Sequence, residues 1–194
     1  MDFLLQQIEA FGTLSPEDIQ KLGHYFQNKT YKRHTMLLEA GAVAHQLFFV
    51  KQGALHQYVH DAQGSERTSH FAFEGEWITD LDSFSRQSPS ASNISCLEPS
   101  TCLVIRCVDI ASCMREMPVV AAFFNKLVEE IARRNIQRIQ SLLAQSPEMQ
   151  FQQLQAENPQ WLQRLPQRYI AQYLGIAPES LSRIRKRILE NIKP

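Results

Sequence analysis

Gly175 stands between two helical stripes, and that one residue restricts the C-terminal fold more than any other position in the chain. Tyr169, Ile170, Tyr173 and Leu174 recur at helical spacing before it, and Leu181, Ile184 and Ile188 resume the pattern after it. A glycine at such a break supplies the positive φ that a tight helix–helix turn needs. Ala171, four residues earlier, is small enough to let the two helices cross closely. Pro178 suits the first position of the second helix, where a missing N–H costs nothing. With Leu181, Ile184 and Ile188 turned inward, Glu179, Ser182, Arg183, Lys186 and Arg187 are left on the outer faces. The stretch Gln167–Arg187 therefore predicts a helix-turn-helix.

The chemistry of that outer face suits the major groove of DNA. Arg183 is of the type that forks onto guanine O6/N7, and Glu179 of the type that accepts from cytosine N4. Ser180, Ser182, Arg185 and Lys186 are within reach of phosphates. Gln167 and Arg168 at the first helix, with Ala177 and Pro178 at the turn, complete the expected DNA-facing set. A plain helical hairpin with a solvated basic face is the alternative. Charge separates the two. Residues 160–194 carry seven Lys/Arg against two Asp/Glu, a net of +5, so the rest of this neutral chain carries −5. Gathering positive charge on one small helical unit is an electrostatic footprint for a polyanion.

Upstream, the pattern changes twice. Residues 1–28 read as helical, with Phe3, Leu4, Ile8 and Phe11 on one stripe and Ile19, Leu22, Tyr25 and Phe26 on a second. Ser15-Pro16-Glu17-Asp18 looks like an N-cap followed by a first turn. From Asn28 to Val108 the chain breaks into short β-rich runs: 29–38, 46–51, 55–60, 68–73, 93–97 and 101–106. Gly41, Gly53, Asp61–Gly64, Gly75 and Pro99 punctuate them, which predicts a barrel or double-sheet roll. Residues 84–92 read as a polar loop. Pro118 then opens a long helix to about Gln145. Its apolar stripe can pack on the roll, pair with the same helix of a second copy, or do both. Phe124, Leu127, Val128, Ile131, Asn135, Ile139 and Leu142 are the positions expected at such a dimer seam. Two-fold pairing would place two readers one DNA turn apart. In 146–165, Met149, Phe151, Leu154, Trp161 and Leu162 are expected to form a small core under the helix-turn-helix.

Several function classes are disfavoured. With 194 residues and 44% hydrophobic composition, the chain has material for one good core and a small second one. No apolar run approaches the ~20 residues of a membrane span, and the acidic N-terminus lacks the basic start of a signal peptide. A cytoplasmic location without membrane association is expected. Cys96, Cys102, Cys107 and Cys113 match neither zinc nor CxxC spacing, so they are expected to pack as small hydrophobes, with a thiol sensor as the alternative. His56 and His60 fall in strand and turn, and no metal site is expected there. No nucleophile–base pair or phosphate loop has usable spacing, so no enzyme is expected.

The order of helical cap, β-roll, long helix and C-terminal helix-turn-helix resembles the CRP/FNR family of bacterial transcription regulators, over essentially the whole chain. Leu47–Leu55 (LFFVKQGAL), Phe73–Trp77 (FEGEW) and Tyr173–Lys186 (YLGIAPESLSRIRK) carry the resemblance. It implies an α+β chain divided into a cyclic-nucleotide-binding-like sensor roll (1–117), a dimerisation helix (118–145) and a DNA-binding domain (146–194). It also implies double-stranded DNA, a homodimer and RNA polymerase as partners. By the same resemblance Glu179 and Arg183 match the base-reading pair, while Ala177 and Pro178 replace residues that are more often polar or basic. Leu189–Pro194 leaves a truncated or absent β-hairpin wing.

In relatives that bind a cyclic nucleotide, a Gly-Glu pair precedes a short helix and an Arg-Ser or Arg-Thr pair follows it. Gly75-Glu76 matches the first pair, but the second falls on Ser90-Ala91, with Arg86 the nearest cation. The expected pocket takes in these residues with Phe73, Trp77 and Asn135. A cyclic phosphate buried without a cation costs several kcal/mol. The resemblance therefore implies an effector that is unknown and not a cyclic nucleotide, or is absent, with two alternatives: a nucleotide held by a substitute cation, or a small-ligand or thiol module with weak DNA binding. No cysteine precedes Cys96, so no iron–sulfur cluster is expected.

Overall fold

The structure, a computed structural model, describes residues 1–192. The chain divides into two compact units, one of residues 1–59 and 69–131, the other of residues 60–68 and 132–194.

The first unit begins with helices α1 (Asp2–Glu9) and α2 (Pro16–Tyr25). α2 starts at a capping box: the Asp18 N–H donates to the Ser15 hydroxyl, and the Ser15 N–H donates to the Asp18 carboxylate, each at 3.1 Å. Eight strands follow: β1 (Gln27–Tyr31), β2 (Met36–Leu38), β3 (Gln46–Gln52), β4 (Leu55–His60), β5 (Glu66–Ala72), β6 (Trp77–Ile78), β7 (Asn93–Cys96) and β8 (Ser100–Arg106). They form two four-stranded sheets, ordered β1-β8-β3-β6 and β2-β7-β4-β5. In β3, Leu47, Phe48, Phe49 and Val50 are all buried, which only a strand covered on both faces allows. The connection from β3 to β4 turns tightly at Gly53, which takes φ +104 and where a Cβ would strike Pro99 and Ser100.

Two sequence expectations are corrected here, and one helix is added. Residues 29–38 split into β1 and β2, which belong to different sheets, with His34 at φ +66 between them. Residues 84–92 are loop only from Gln87 onward: helix α3 (Leu81–Arg86) occupies their start, and within the loop Ser90 and Ser92 are buried. Helix α4 (Cys107–Glu116), which buries Cys113, was hidden because its short stripe follows β8 without a break.

Helix α5 (Pro118–Ala144) runs 27 residues and buries Val120, Phe123 and Phe124 at its start. These join an aromatic cluster around Trp77, whose ring centroid lies 4.9 Å from Phe49, 5.9 Å from Phe123 and 5.8 Å from Phe124. Each such side chain removed from water contributes roughly 1.5–3 kcal/mol.

The second unit holds the end of α5 and helices α6 (Pro147–Glu157), α7 (Pro159–Arg164), α8 (Gln167–Leu174) and α9 (Pro178–Ile192). A proline opens α6, α7 and α9, where its fixed φ suits the first turn. Phe151, Leu154, Trp161, Leu165, Ile170, Leu174 and Leu181 are buried. Met149, expected in this core, is 54% exposed, and Leu162 is half-buried; Leu165 lies inside instead. α9 stays helical to Ile192, so the segment where a truncated or absent wing is expected is helix as far as Ile192, and Lys193 and Pro194 lie outside the described residues. Among the described residues no helix is long and apolar enough to cross a membrane.

Candidate functional site

α8 and α9 meet at Gly175, which takes φ +71 and closes α8 in the left-handed conformation. The Gly175 N–H donates to the Gln172 carbonyl at 3.2 Å and the Ile176 N–H to the Ala171 carbonyl at 3.0 Å, so the end of α8 is satisfied as the chain reverses. Ala171, fully buried, and Leu181, 1% exposed, lie beneath the turn.

On the other side of α9, Glu179, Ser182, Arg183, Lys186 and Arg187 are exposed, as are Ala177 and Pro178 at the turn; Ser180 and Arg185 are half-buried. Arg183 donates to the Ser180 hydroxyl at 3.2 Å, so the pair stands together on one face. Arg187 pairs with Glu148 of α6 at 2.8 Å and is thereby drawn toward the unit. At the start of α8, Gln167 and Arg168 are exposed, with the Arg168 guanidinium over the Tyr169 ring and bonded to its hydroxyl at 2.7 Å.

The seam positions of α5 separate into two groups. Phe124 is only 4% exposed and Leu127 is packed against the roll, so both are used in the chain's own core. Ile131 is half-buried, whereas Asn135 is exposed, with Val128 at 46%, Ile139 at 57% and Leu142 at 49%. Leu143 is exposed as well, as is Ile136, which the stripe had not included.

The expected effector pocket is rearranged. Gly75-Glu76 does not adjoin the short helix; it lies in the turn between β5 and β6, with β6 between it and α3. Gly75 takes φ +85, and a Cβ there would strike the Phe3 ring of α1, while its carbonyl accepts from Gln7 at 2.8 Å. The Glu76 carboxylate accepts from the Phe73 N–H at 2.9 Å, within the same turn. Trp77 donates to Gln7 from inside the aromatic cluster, and Phe73 is 4% exposed. These four residues build the roll. α3 is instead preceded by Thr79-Asp80, and Asp80 is its N-cap. The Asp80 carboxylate accepts from the Ser83 N–H at 3.2 Å and from the Ser90 hydroxyl at 2.6 Å. Ser90 also accepts from the Ser92 N–H at 2.9 Å. Burial works to raise the Asp80 carboxyl, but these hydrogen bonds outweigh it and hold it below the usual carboxylate range. Arg86 points outward, three-quarters exposed and paired with Asp82 at 3.0 Å, and Ala91 is exposed. The sequence signal for Asp80 was an acidic residue three positions before Ser83, an N-cap pattern at the start of a short helix.

Residues 28–117 match the cyclic nucleotide-binding domain family. Across nearly the whole chain, solved structures of regulators share the fold. A CRP/FNR-family putative transcriptional regulator from Eubacterium rectale aligns with TM-score 0.71 at 16% identity, over 92% of this chain and 85% of its own. The CooA mutant from Carboxydothermus hydrogenoformans gives 0.72 at 14%, over 94% and 83%. The Thermus thermophilus catabolite activator protein gives 0.58 at 20%, over 93% and 86%. Curated protein sequences give no match. The chain shares the fold of these CRP/FNR regulators, and its roll is similar to the cyclic nucleotide-binding domain over residues 28–117.

Within this CRP/FNR fold, the residues present do not fit a cyclic nucleotide. By place in the fold, Asp80 stands where the resemblance puts the ribose-holding glutamate, and Ser90 where it puts the phosphate-holding arginine. The two bond to each other, no ion pair holds Asp80 among the described residues, and an ionised carboxylate repels a cyclic phosphate. The thiols of this CRP/FNR-fold chain are shielded as well. Burial pushes Cys96 up to about 11 and both Cys102 and Cys113 up to about 12, and it raises Cys107, so the reactive thiolate is scarce at neutral pH. Among the described residues, no group of three His, Cys, Asp or Glu is placed to hold a metal ion.

Proposed function

We propose that the chain is a homodimeric, sequence-specific DNA-binding transcription regulator whose roll does not take cyclic AMP or cyclic GMP. The observation that carries the reading is α9. Its apolar side is buried under the Gly175 turn, while Glu179, Ser182, Arg183 and Lys186 stand together in solvent on the other side. That division of one helix into a packed stripe and a base-reading face is what a recognition helix needs. Gln167 and Arg168, at the start of α8, are placed to meet backbone phosphate, where the helix N-terminus adds partial positive charge. The exposed stripe Val128, Ile139 and Leu142 on α5 supports a seam with a second copy, which doubles the number of bases read. RNA polymerase as a partner rests on the CRP/FNR resemblance alone.

The test is selection of bound duplexes from a randomised DNA pool with the purified full chain, followed by sequencing. The reading expects an enriched two-fold-symmetric motif. Recovery of unenriched DNA would leave only non-specific binding and would overturn it. For the roll, a thermal-shift titration with cyclic AMP and cyclic GMP at millimolar concentration is expected to leave the melting temperature unchanged; a saturable rise would restore the nucleotide reading.

A further inference from the structure

The joint between α5 and α6 is two residues long, Gln145 and Ser146, and a joint of that length would ordinarily be a hinge. Here it is bound on both sides. Gln150 of α6 is 6% exposed, and its amide N–H₂ donates to the Ser141 carbonyl at 3.3 Å and the Gln145 carbonyl at 3.1 Å. The Ser141 carbonyl also accepts the Gln145 N–H at 3.0 Å, and Gln145 lies just beyond α5, so the amide ties the helix end to the joint. The Gln150 amide oxygen accepts from Arg138 of α5 at 3.1 Å. The same guanidinium donates to the Tyr173 carbonyl of α8 and lies flat over the Tyr173 ring, 3.9 Å from its centroid. Tyr173 in turn meets Trp161 of α7 edge-on at 5.3 Å. One planar cation thus serves a ring face, a buried amide and a helix-terminal carbonyl two residues before the Gly175 turn. A lysine ammonium has no plane with which to do this.

We propose that Arg138 is a positioning residue that locks the α5–α6 joint, making the end of α5 and the helix-turn-helix one rigid arm. The recognition helix then follows α5 and has little freedom of its own. The lock stands on contacts within the second unit; its consequence for DNA rests on the function proposed above. With a rigid arm, the spacing of two recognition helices is set by how two copies of α5 pair, and the dimer accepts one half-site spacing.

Hydrogen–deuterium exchange on the full chain tests the lock without DNA. In Arg138→Ala, amides of Gln145–Gln150 and Gly175–Ala177 are expected to exchange about tenfold or more faster, while Phe151–Leu154 and Ile170–Leu174 keep their protection. Arg138→Lys is expected not to restore them. Gln150→Met leaves Arg138 over Tyr173; it should loosen Gln145–Gln150 alone and serves if Arg138→Ala does not fold. Exchange within about twofold of the parent, or uniform acceleration over the whole unit, would each overturn the lock. The DNA arm uses a duplex selected by the parent and the same duplex with one base pair inserted between half-sites. The parent should discriminate against the insertion by about tenfold or more and Arg138→Ala by only about threefold or less; equal discrimination overturns the rigid-arm consequence. If the parent selects no duplex, the DNA reading fails while the exchange result still decides the lock.

Discussion

Asp80 shows what one residue does to the chemistry of the roll. Its carboxylate caps α3 and accepts from Ser90, so the part of the roll that would face an anion carries negative charge. Because its folded-state pKa is depressed, the group adds stability that is present above the unfolded value of ~3.9 and lost as pH falls through the folded value. Asp80→Asn should therefore cost about 1–3 kcal/mol at pH 7, the usual worth of charge-assisted hydrogen bonds in a buried site. The gap between variant and parent should close as pH drops below ~4. Urea midpoints followed from pH 7 downward through the range below ~4 check both parts, and a gap that does not narrow at all across that range would show that packing around α3, not charge, carries the effect. Gly75 and Glu76 illustrate the converse. They match a binding motif in sequence, yet the contacts of Gly75 with Phe3 and Gln7, and of Glu76 with Phe73, are those of a structural turn.

At the scale of elements, α9 is the clearest case of sequence becoming function. Leu181 and Ile188 hold it down, and everything in between faces solvent or leans on a neighbour. If Arg183 forks onto guanine, Arg183→Ala should cost about 1–3 kcal/mol of specific binding and relax preference at one base pair. Fluorescence anisotropy with the selected duplex and its single-base variants reads this. A weaker salt slope with preference unchanged would assign Arg183 to a phosphate instead. Arg187 makes a useful contrast within the same helix, because its pairing with Glu148 at 2.8 Å directs it toward α6. α5 divides likewise: Phe123 and Phe124 are consumed by the aromatic cluster around Trp77, and its exposed apolar positions start at Val128.

For the whole molecule, the question is what covers that exposed stripe. Ile139→Glu places a charge in the middle of it without disturbing the roll core, and like charges would then meet across a two-fold seam. Analytical ultracentrifugation is expected to show a dimer for the parent and association weakened about a hundredfold or more for the variant, the scale set by ~3 kcal/mol of lost seam energy. A parent that sediments as a monomer would remove the seam. Much of the architecture was legible before any coordinates: the strand-rich middle, the long helix from Pro118, and the two helices around Gly175 all follow from local rules. Period, glycine at positive φ, proline at the first helical position and the net of +5 over residues 160–194 act within a few residues of one another, so the sequence by itself determined them. Other assignments required the tertiary structure. That Asp80 and not Glu76 caps the short helix, that Trp77 and Phe124 are core, that Arg86 faces solvent, and that Arg138 bolts α5 to α8 depend on partners far away in the chain. Gln7 finds Gly75 and Arg138 finds Tyr173 only after the chain has closed on itself, and no periodicity encodes which distant residue will be there.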